Sequence, residues 1–332
     1  MTRMAPKGIP TRVLVAPDSF KGTLSGGEVA QAVGWGLAEA GWPVDLCPLA
    51  DGGEGTMDLL APALGLERRS VVVSDPLGRP VEACFGLAGP VALVESAAAS
   101  GLGLVAASER DAVAADTYGT GELIRAAVDA GARTIYVAVG GSATTDGGVG
   151  ACRALGQAGG IGAARLVVLC DVRTPFEEAA AVFAPQKGAS PEQVRKLSER
   201  LRRVAEGFAR DPRGVPLTGA AGGLSGGLWA CFDAELVPGA AFVLDAVGFD
   251  ARMRSARAVV TGEGKLDRQS LVGKVVAEVA TRARQAGVPC HAVVGRLDLD
   301  LFGRRILDLQ VVLEAGTLAQ LQAAGAELAG RL

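Results

Sequence analysis

Four short apolar runs in this chain each break into a loop of glycine, acidic, hydroxyl and lysine residues, and each loop opens a segment with helical patterning. Residues 18–22 (DSFKG) follow the run 13–16, and residues 51–56 (DGGEGT) follow the run 44–49. Residues 140–148 (GGSATTDGG) follow the run 134–139, and residues 261–267 (TGEGKLD) follow 258–261. A strand that turns through glycine into a helix presents backbone N–H groups and the positive end of the helix dipole at the carboxyl edge of a sheet. Repeated four times, that arrangement predicts an open α/β sheet, whose carboxyl edge is where ligands, anions above all, are bound.

Glycine supplies 47 of the 332 residues, about twice the usual usage of roughly 7%. It follows no collagen-like period and clusters at the ends of apolar runs, where a backbone bends sharply or approaches a ligand closely. The length exceeds what one hydrophobic core ordinarily serves, so two domains are expected. Both chain ends read as strand and helix in alternation. A strand at 13–16 precedes a capping-box helix starting at Ser25 and Glu28 and a strand at 44–49; the far end gives strands at 258–261, 289–294 and 310–313 with helices between. The middle differs, with β-like runs near 81–86 and 91–95, a helix at 120–130, strands at 134–139 and 166–170, and a charged helix from Pro191. The reading is therefore a two-domain α/β protein. Residues 11–70 and 251–332 build one parallel-sheet domain, and 71–250 form a second mixed domain inserted into it.

Composition removes several chemistries. A net charge of −3 with mixed signs argues against nucleic acid or a membrane surface as main partner. Six scattered cysteines without a C-x-x-C pair read as small hydrophobes in a reducing compartment, and the N-terminal residues lack the apolar core of a signal peptide. The uncharged stretch 214–232 holds six glycines, poor material for a membrane span, and a cytoplasmic protein is expected. The single histidine, His291, sits in a strand-like run and nearly rules out a histidine-ligated metal. A G-x-S-x-G match at 223–227 keeps a Ser225/His291 hydrolase in play, although the residues before it make a poor strand. Neither a Walker P-loop nor a G-x-G-x-x-G after the first strand is present.

Phosphoryl transfer suits what remains: it asks for backbone donors and lysines around phosphate oxygens, acids to hold Mg²⁺, and a carboxylate facing the attacking hydroxyl, without needing histidine. At single positions a plainer reading competes, since Asp51 and Asp146 also suit helix caps or Asx-turns and lysines are commonly solvated.

With these loops the sequence resembles the type I glycerate kinase family over nearly its whole length. The resemblance rests on APDSFKGTLS (16–25), ADGGEGT (50–56), DPLGRP (75–80), GTGELI (119–124), GGSATTDGG (140–148), CDV (170–172), APQKGAS (184–190), GAAGGL (219–224) and TGEGKLDRQS (261–270). It implies transfer of the ATP γ-phosphoryl group to D-glycerate with Mg²⁺, 2-phosphoglycerate being the usual product. It also implies a flavodoxin-like domain from both chain ends, with the site in the cleft between the domains. Two departures flank Asp171. The connection after Gly156 is shorter than is usual in the family, and Glu-Glu-Ala-Ala-Ala-Val at 177–182 stands where the family has a Gly-Asp-Asn-Gly-like loop.

The resemblance and the loops together assign expected roles. Gly140, Gly141, Ser142, Thr144 and Thr145 are expected to receive the ATP phosphates, with Asp146 completing the polar lining of the nucleotide site and Gly222 and Gly223 as an alternative nucleotide loop. Asp51 and Asp171 are first choices for Mg²⁺ or for orienting the hydroxyl, with Asp18, Glu263 and Asp267 behind them. Lys21, Lys187, Lys265 and Lys274 are candidates to neutralise the γ-phosphate and the substrate carboxylate. A catalytically silent nucleotide- or metabolite-binding protein stays as a further alternative, and the oligomeric state, a homo-oligomer included, is left open.

Overall fold

The computed structural model describes residues 12–20, 22–271 and 273–332. Lys21, a candidate phosphate-binding lysine, lies outside the described residues. The strands in chain order are β1 (Val13–Pro17), β2 (Val44–Leu46), β3 (Glu67–Ser74), β4 (Pro80–Ala88), β5 (Val91–Glu95), β6 (Thr134–Val139), β7 (Arg165–Cys170), β8 (Glu235–Pro238), β9 (Ala258–Gly262), β10 (Cys290–Val294) and β11 (Leu309–Glu314). They fall into two sheets and two compact units. One unit combines the residues up to Leu49 with Leu244–Leu332, and the other is Ala50–Val243.

In the first unit β1 and β9 are buried at every residue, as strands covered on both faces must be. Their sheet is parallel throughout, in the order β11-β10-β9-β1-β2. Counted within the unit this is 2-1-3-4-5, the flavodoxin-like order, whose direction reverses between β1 and β9. The helix Gly26–Glu39 begins with the expected capping box: Ser25 Oγ accepts the Glu28 N–H at 3.2 Å and Glu28 Oε2 accepts the Ser25 N–H at 2.8 Å. With the helix Leu318–Ala329 it buries Val29, Val33, Leu37, Leu321 and Leu328 against Val13, Val15, Val260 and Val293 of the sheet. Each such fully buried side chain contributes roughly 1.5–3 kcal/mol.

The second unit has the order β3-β4-β5-β6-β7-β8. β3, β4 and β5 form an antiparallel meander, and β5 to β8 are parallel. Val94, Val137 and Val168 on one face pack against Leu123, Ile124, Leu155, Leu224 and Leu228 from three helices. A smaller core gathers Phe176, Leu197 and Leu201 beneath the helices Ala179–Phe183 and Pro191–Gly207.

Residues 50–70, assigned from sequence to the domain of the chain ends, group with the second unit, because the helix Thr56–Leu64 lies on β4 and β5. Among the elements with no counterpart in the sequence reading, two bear on the site. β8 is only four residues long, and the helix Ala220–Phe232 begins with Ala221, Gly222 and Gly223 at φ of 49°, 68° and 90°. So glycine-rich a helix start carries no apolar and polar alternation for a periodicity to reveal.

Candidate active site

Register aligns the carboxyl ends of the second sheet. Glu95 of β5 pairs with Ala138 of β6, Val139 with Cys170 of β7, and Cys170 with Pro238 of β8. The residues that step off this edge are Gly140, Asp171 and Gly239, and the loop 51–55 is packed onto them. A β-carbon on Gly140 would stand 2.9 Å from the Gly53 Cα and 3.1 Å from Asp171 Oδ2, and one on Gly52 would stand 2.6 Å from the Gly239 Cα. Only glycine permits backbones to approach this closely. Asp51 is held at the same contact, its Oδ1 accepting the Gly53 N–H at 3.1 Å; the Asp51 side chain is buried. The two first-choice aspartates thus flank one glycine contact.

Glu95 was not singled out from the sequence. Its Oε1 accepts the Met57 N–H at 2.6 Å, and the carboxylate is also bonded to the Gly55 N–H, so it ties down the far end of the 51–56 loop. Burial pushes its pKa up to about 7, reinforced by the charges of Asp58 and Glu54. The only sequence signal is an acid closing the apolar run VALVE, which becomes informative once β5 is known to lie next to β6.

The loop 140–148 is held from beneath. Asp146 is wholly buried, and its carboxylate accepts from Thr117 N and Oγ1, Gly148 N and Gly150 N at 2.8–3.1 Å. Those bonds occupy it with the starts of two helices, so its place is that of a scaffold rather than a ligand-facing group. Lys187 is buried and donates to Ser142 Oγ at 3.0 Å and to the Thr144 carbonyl at 2.5 Å. Burial lowers its pKa to about 8, against the pull of Asp146 and Asp171.

Gly222 and Gly223 do not form a separate loop. The Gly147 N–H donates to the Gly222 carbonyl at 3.1 Å, a β-carbon on Gly222 would run into the Thr144 carbonyl, and one on Gly223 would stand 2.9 Å from the Gly147 Cα. The two glycine stretches are one joined body with Phe176 beneath, whose ring faces Gly147, Gly223 and Gly226. Phe176 opens the segment where the sequence departs from the family pattern; the other departure is a tight turn through Gly159, Gly160 and Gly162, all at positive φ.

Ser225 is no nucleophile elbow. It lies buried within the helix Ala220–Phe232, its hydroxyl donating to the carbonyls of Leu217 at 2.7 Å and Ala220 at 3.3 Å. His291 is a buried residue of β10, its pKa lowered by burial. A hydrolase built on these two side chains is not supported.

In the first unit the sequence-predicted residues gather where the strand order reverses. Pro17 pairs with Gly262, and the next residues are Asp18 and Glu263. Both are buried; Asp18 Oδ1 accepts the Ser19 N–H at 2.6 Å, and Lys274 Nζ stands 3.6 Å from Glu263 Oε2. Burial raises the Glu263 pKa. Lys265 and Asp267 are more open. Lys265 is about half exposed between Asp267 at 3.1 Å and Asp298 at 3.2 Å, and Asp267 also accepts the Gln269 N–H at 2.9 Å.

Buried polar atoms normally find a partner, so those that do not are informative. Among the described residues six buried side-chain N or O atoms lack one. Four of them, Ser96 Oγ, Thr144 Oγ1, Thr145 Oγ1 and Glu263 Oε1, belong to residues just past the carboxyl ends of β5, β6 and β9. Among the described residues no group of three or more His, Cys, Asp or Glu forms a ready-made metal cage. Asp51 and Asp171 nevertheless fit magnesium, which usually takes one or two carboxylates and fills its other positions with water and phosphate oxygen.

Comparison with known proteins places the chain in a family. The model of the glycerate kinase family matches residues 13–160 and 159–312, the two matches meeting at the shortened turn. A glycerate kinase of Halalkalibacterium halodurans is 39% identical over 324 residues, covering 86% of this chain and 85% of its own. The glycerate 2-kinase of Escherichia coli is 37% identical over 329 residues, covering 87% and 86%. A crystal structure of a glycerate kinase 2 from Salmonella typhimurium superposes with a TM-score of 0.76 at 34% identity, covering 97% of this chain and 98% of that one. No described helix is long and apolar enough to cross a membrane. The chain belongs to the glycerate kinase family.

Proposed function

We propose that this enzyme transfers the γ-phosphoryl group of ATP to D-glycerate to give 2-phosphoglycerate, with residues of both units serving one reaction. The observation that carries the reading is the carboxyl edge of the second sheet. There Asp51 and Asp171 flank the Gly53–Gly140 contact, and the buried Lys187 and two unpartnered threonine hydroxyls belong to the same glycine loop. In the assignment, the backbone N–H groups of 140–142 and the Lys187 ammonium receive phosphate oxygens. Asp51 faces the glycerate hydroxyl and takes its proton, and Asp171 and Asp51 are the residues that would hold Mg²⁺. When bound, Mg²⁺ would neutralise charge developing on the transferred group. Asp18, Glu263 and Lys274, at the reversal of strand order in the first sheet, suit the remaining polar contacts of substrate or nucleotide. Six cysteines without disulfides fit a cytoplasmic setting.

Glycerate-dependent ADP release, with the product resolved by phosphorus NMR, tests the activity and the position phosphorylated. A single 2-phosphoglycerate signal is expected; a 3-phosphoglycerate signal overturns the product assignment, and no ADP above the glycerate-free control overturns the reaction. Asp51→Asn and Asp171→Asn should each lower kcat by about 10²–10⁴-fold while leaving the melting temperature within a few degrees of the parent. Near-normal turnover in both would remove these residues from the mechanism.

A further inference from the structure

The helices that leave the two joined glycine stretches, Val149–Gln157 and Ala220–Phe232, meet where Gly148, the cap of the first, packs on Gly227. A β-carbon on Gly227 would stand 2.5 Å from the Gly147 carbonyl and 2.9 Å from the Gly148 Cα. Helix axes ordinarily pack about 8–10 Å apart, whereas a disulfide asks for Cα atoms roughly 4.4–6.8 Å apart. A glycine-to-glycine contact narrows that gap, and one helical turn beyond each glycine stands a cysteine, Cys152 after Gly148 and Cys231 after Gly227. Cys152 Sγ donates to the Gly227 carbonyl at 3.4 Å, which sets it beside the helical turn that carries Cys231. Cys231 is exposed and Cys152 partly so, whereas Cys47, Cys170 and Cys290 are buried.

We propose that Cys152 and Cys231 are an oxidative modification site, closing to a reversible disulfide when the protein meets hydrogen peroxide. The neighbouring Cys152 thiol lowers the Cys231 pKa from its ordinary value, which favours attack by the exposed sulfur. The Cys231 thiolate attacks one peroxide oxygen and the O–O bond breaks. This leaves a sulfenic acid on Cys231 and a hydroxide that takes up a proton. The Cys152 sulfur then attacks the Cys231 sulfur, the S–O bond breaks, and the departing hydroxide leaves with the Cys152 proton as a second water. Two thiols lose two electrons and two protons, and one peroxide becomes two waters.

The test is peptide mapping under non-reducing conditions after treating the full-length protein with stoichiometric hydrogen peroxide. The expected result is an intact mass lower by two hydrogens and one cross-linked peptide pair containing Cys152 and Cys231. It should revert with dithiothreitol and be absent from Cys152→Ser and Cys231→Ser. Sulfinic acid on Cys231 without the linked pair, a disulfide joining Cys231 of two molecules, or preferential oxidation of Cys84 would each overturn the proposal. The wild-type map alone decides it should either serine variant fail to fold.

Discussion

Lys187 concentrates the chemistry of the second unit in one side chain and makes an opposed pair of pH dependences. Burial holds its pKa at about 8, below its ordinary 10.5. Between those values the native protein has released a proton that the unfolded chain still binds, so stability rises with pH across this window, by up to about 3 kcal/mol from this group. The ammonium proposed to meet phosphate is lost over the same range, so kcat/KM for ATP should fall as pH rises through about 8. In Lys187→Met both trends should flatten, on a baseline activity lower by about 10²-fold or more. A kcat/KM that stays level to pH 9.5 in the parent, or a fall that survives the substitution, would take Lys187 out of the phosphate site. Sequence reading reached Lys187 only through the family resemblance, since nothing in PQKG says that the lysine is buried. Asp146 shows the converse: its Asx-turn reading was available from the residues alone, and four internal bonds now favour it. Glu95 stayed hidden because its meaning depends on which strand lies next to β5, and that is a long-range fact.

At the scale of elements, the strand-loop-helix units were the legible part. Apolar runs, the Ser25 capping box and the glycines that end each strand are local signals, and local signals need no tertiary context. The helix Ala220–Phe232 was not legible, because its glycines serve contact with the loop 140–148 instead of helix formation. Gly222 tests that distinction. At φ of 68° an alanine is strained by about 1–2 kcal/mol, and its methyl group would also run into the Thr144 carbonyl. Gly222→Ala should therefore destabilise the protein by about 2–4 kcal/mol and raise KM for ATP by displacing the loop that Thr144 belongs to. Gly65, the C-cap of Thr56–Leu64, has a similar φ of 64° with open space around it. Gly65→Ala should cost only about 1 kcal/mol and leave KM unchanged. Equal kinetic effects in the two variants, measured beside their urea midpoints, would show that strain alone is at work and that the joined loops do not shape the nucleotide site.

At the scale of the whole molecule, one sheet is assembled from both chain ends, and the segment between them has its own sheet and its own buried cores. The discontinuous topology was legible only as strand and helix alternation at both chain ends, since the pairing of β1 with β9 joins residues more than 240 positions apart and leaves no local trace. The inserted unit makes the sharper prediction. Residues 50–243 carry their own buried aliphatic layer, and the two ends of the segment meet where Gly52 packs on Gly239. A segment with a self-contained core and adjacent ends is the kind that folds when excised. Expressed alone, residues 50–243 should give a monomer with one cooperative urea transition. They should also retain ATP binding at the loop 140–148, detectable by calorimetry, but show no glycerate-dependent ADP release, because Asp18, Glu263 and Lys274 are gone. A non-cooperative transition would mean that this unit depends on the other for its core. Full turnover by the fragment would mean that the first unit takes no part in the reaction, and the assignment of residues from both units to one reaction would then fail.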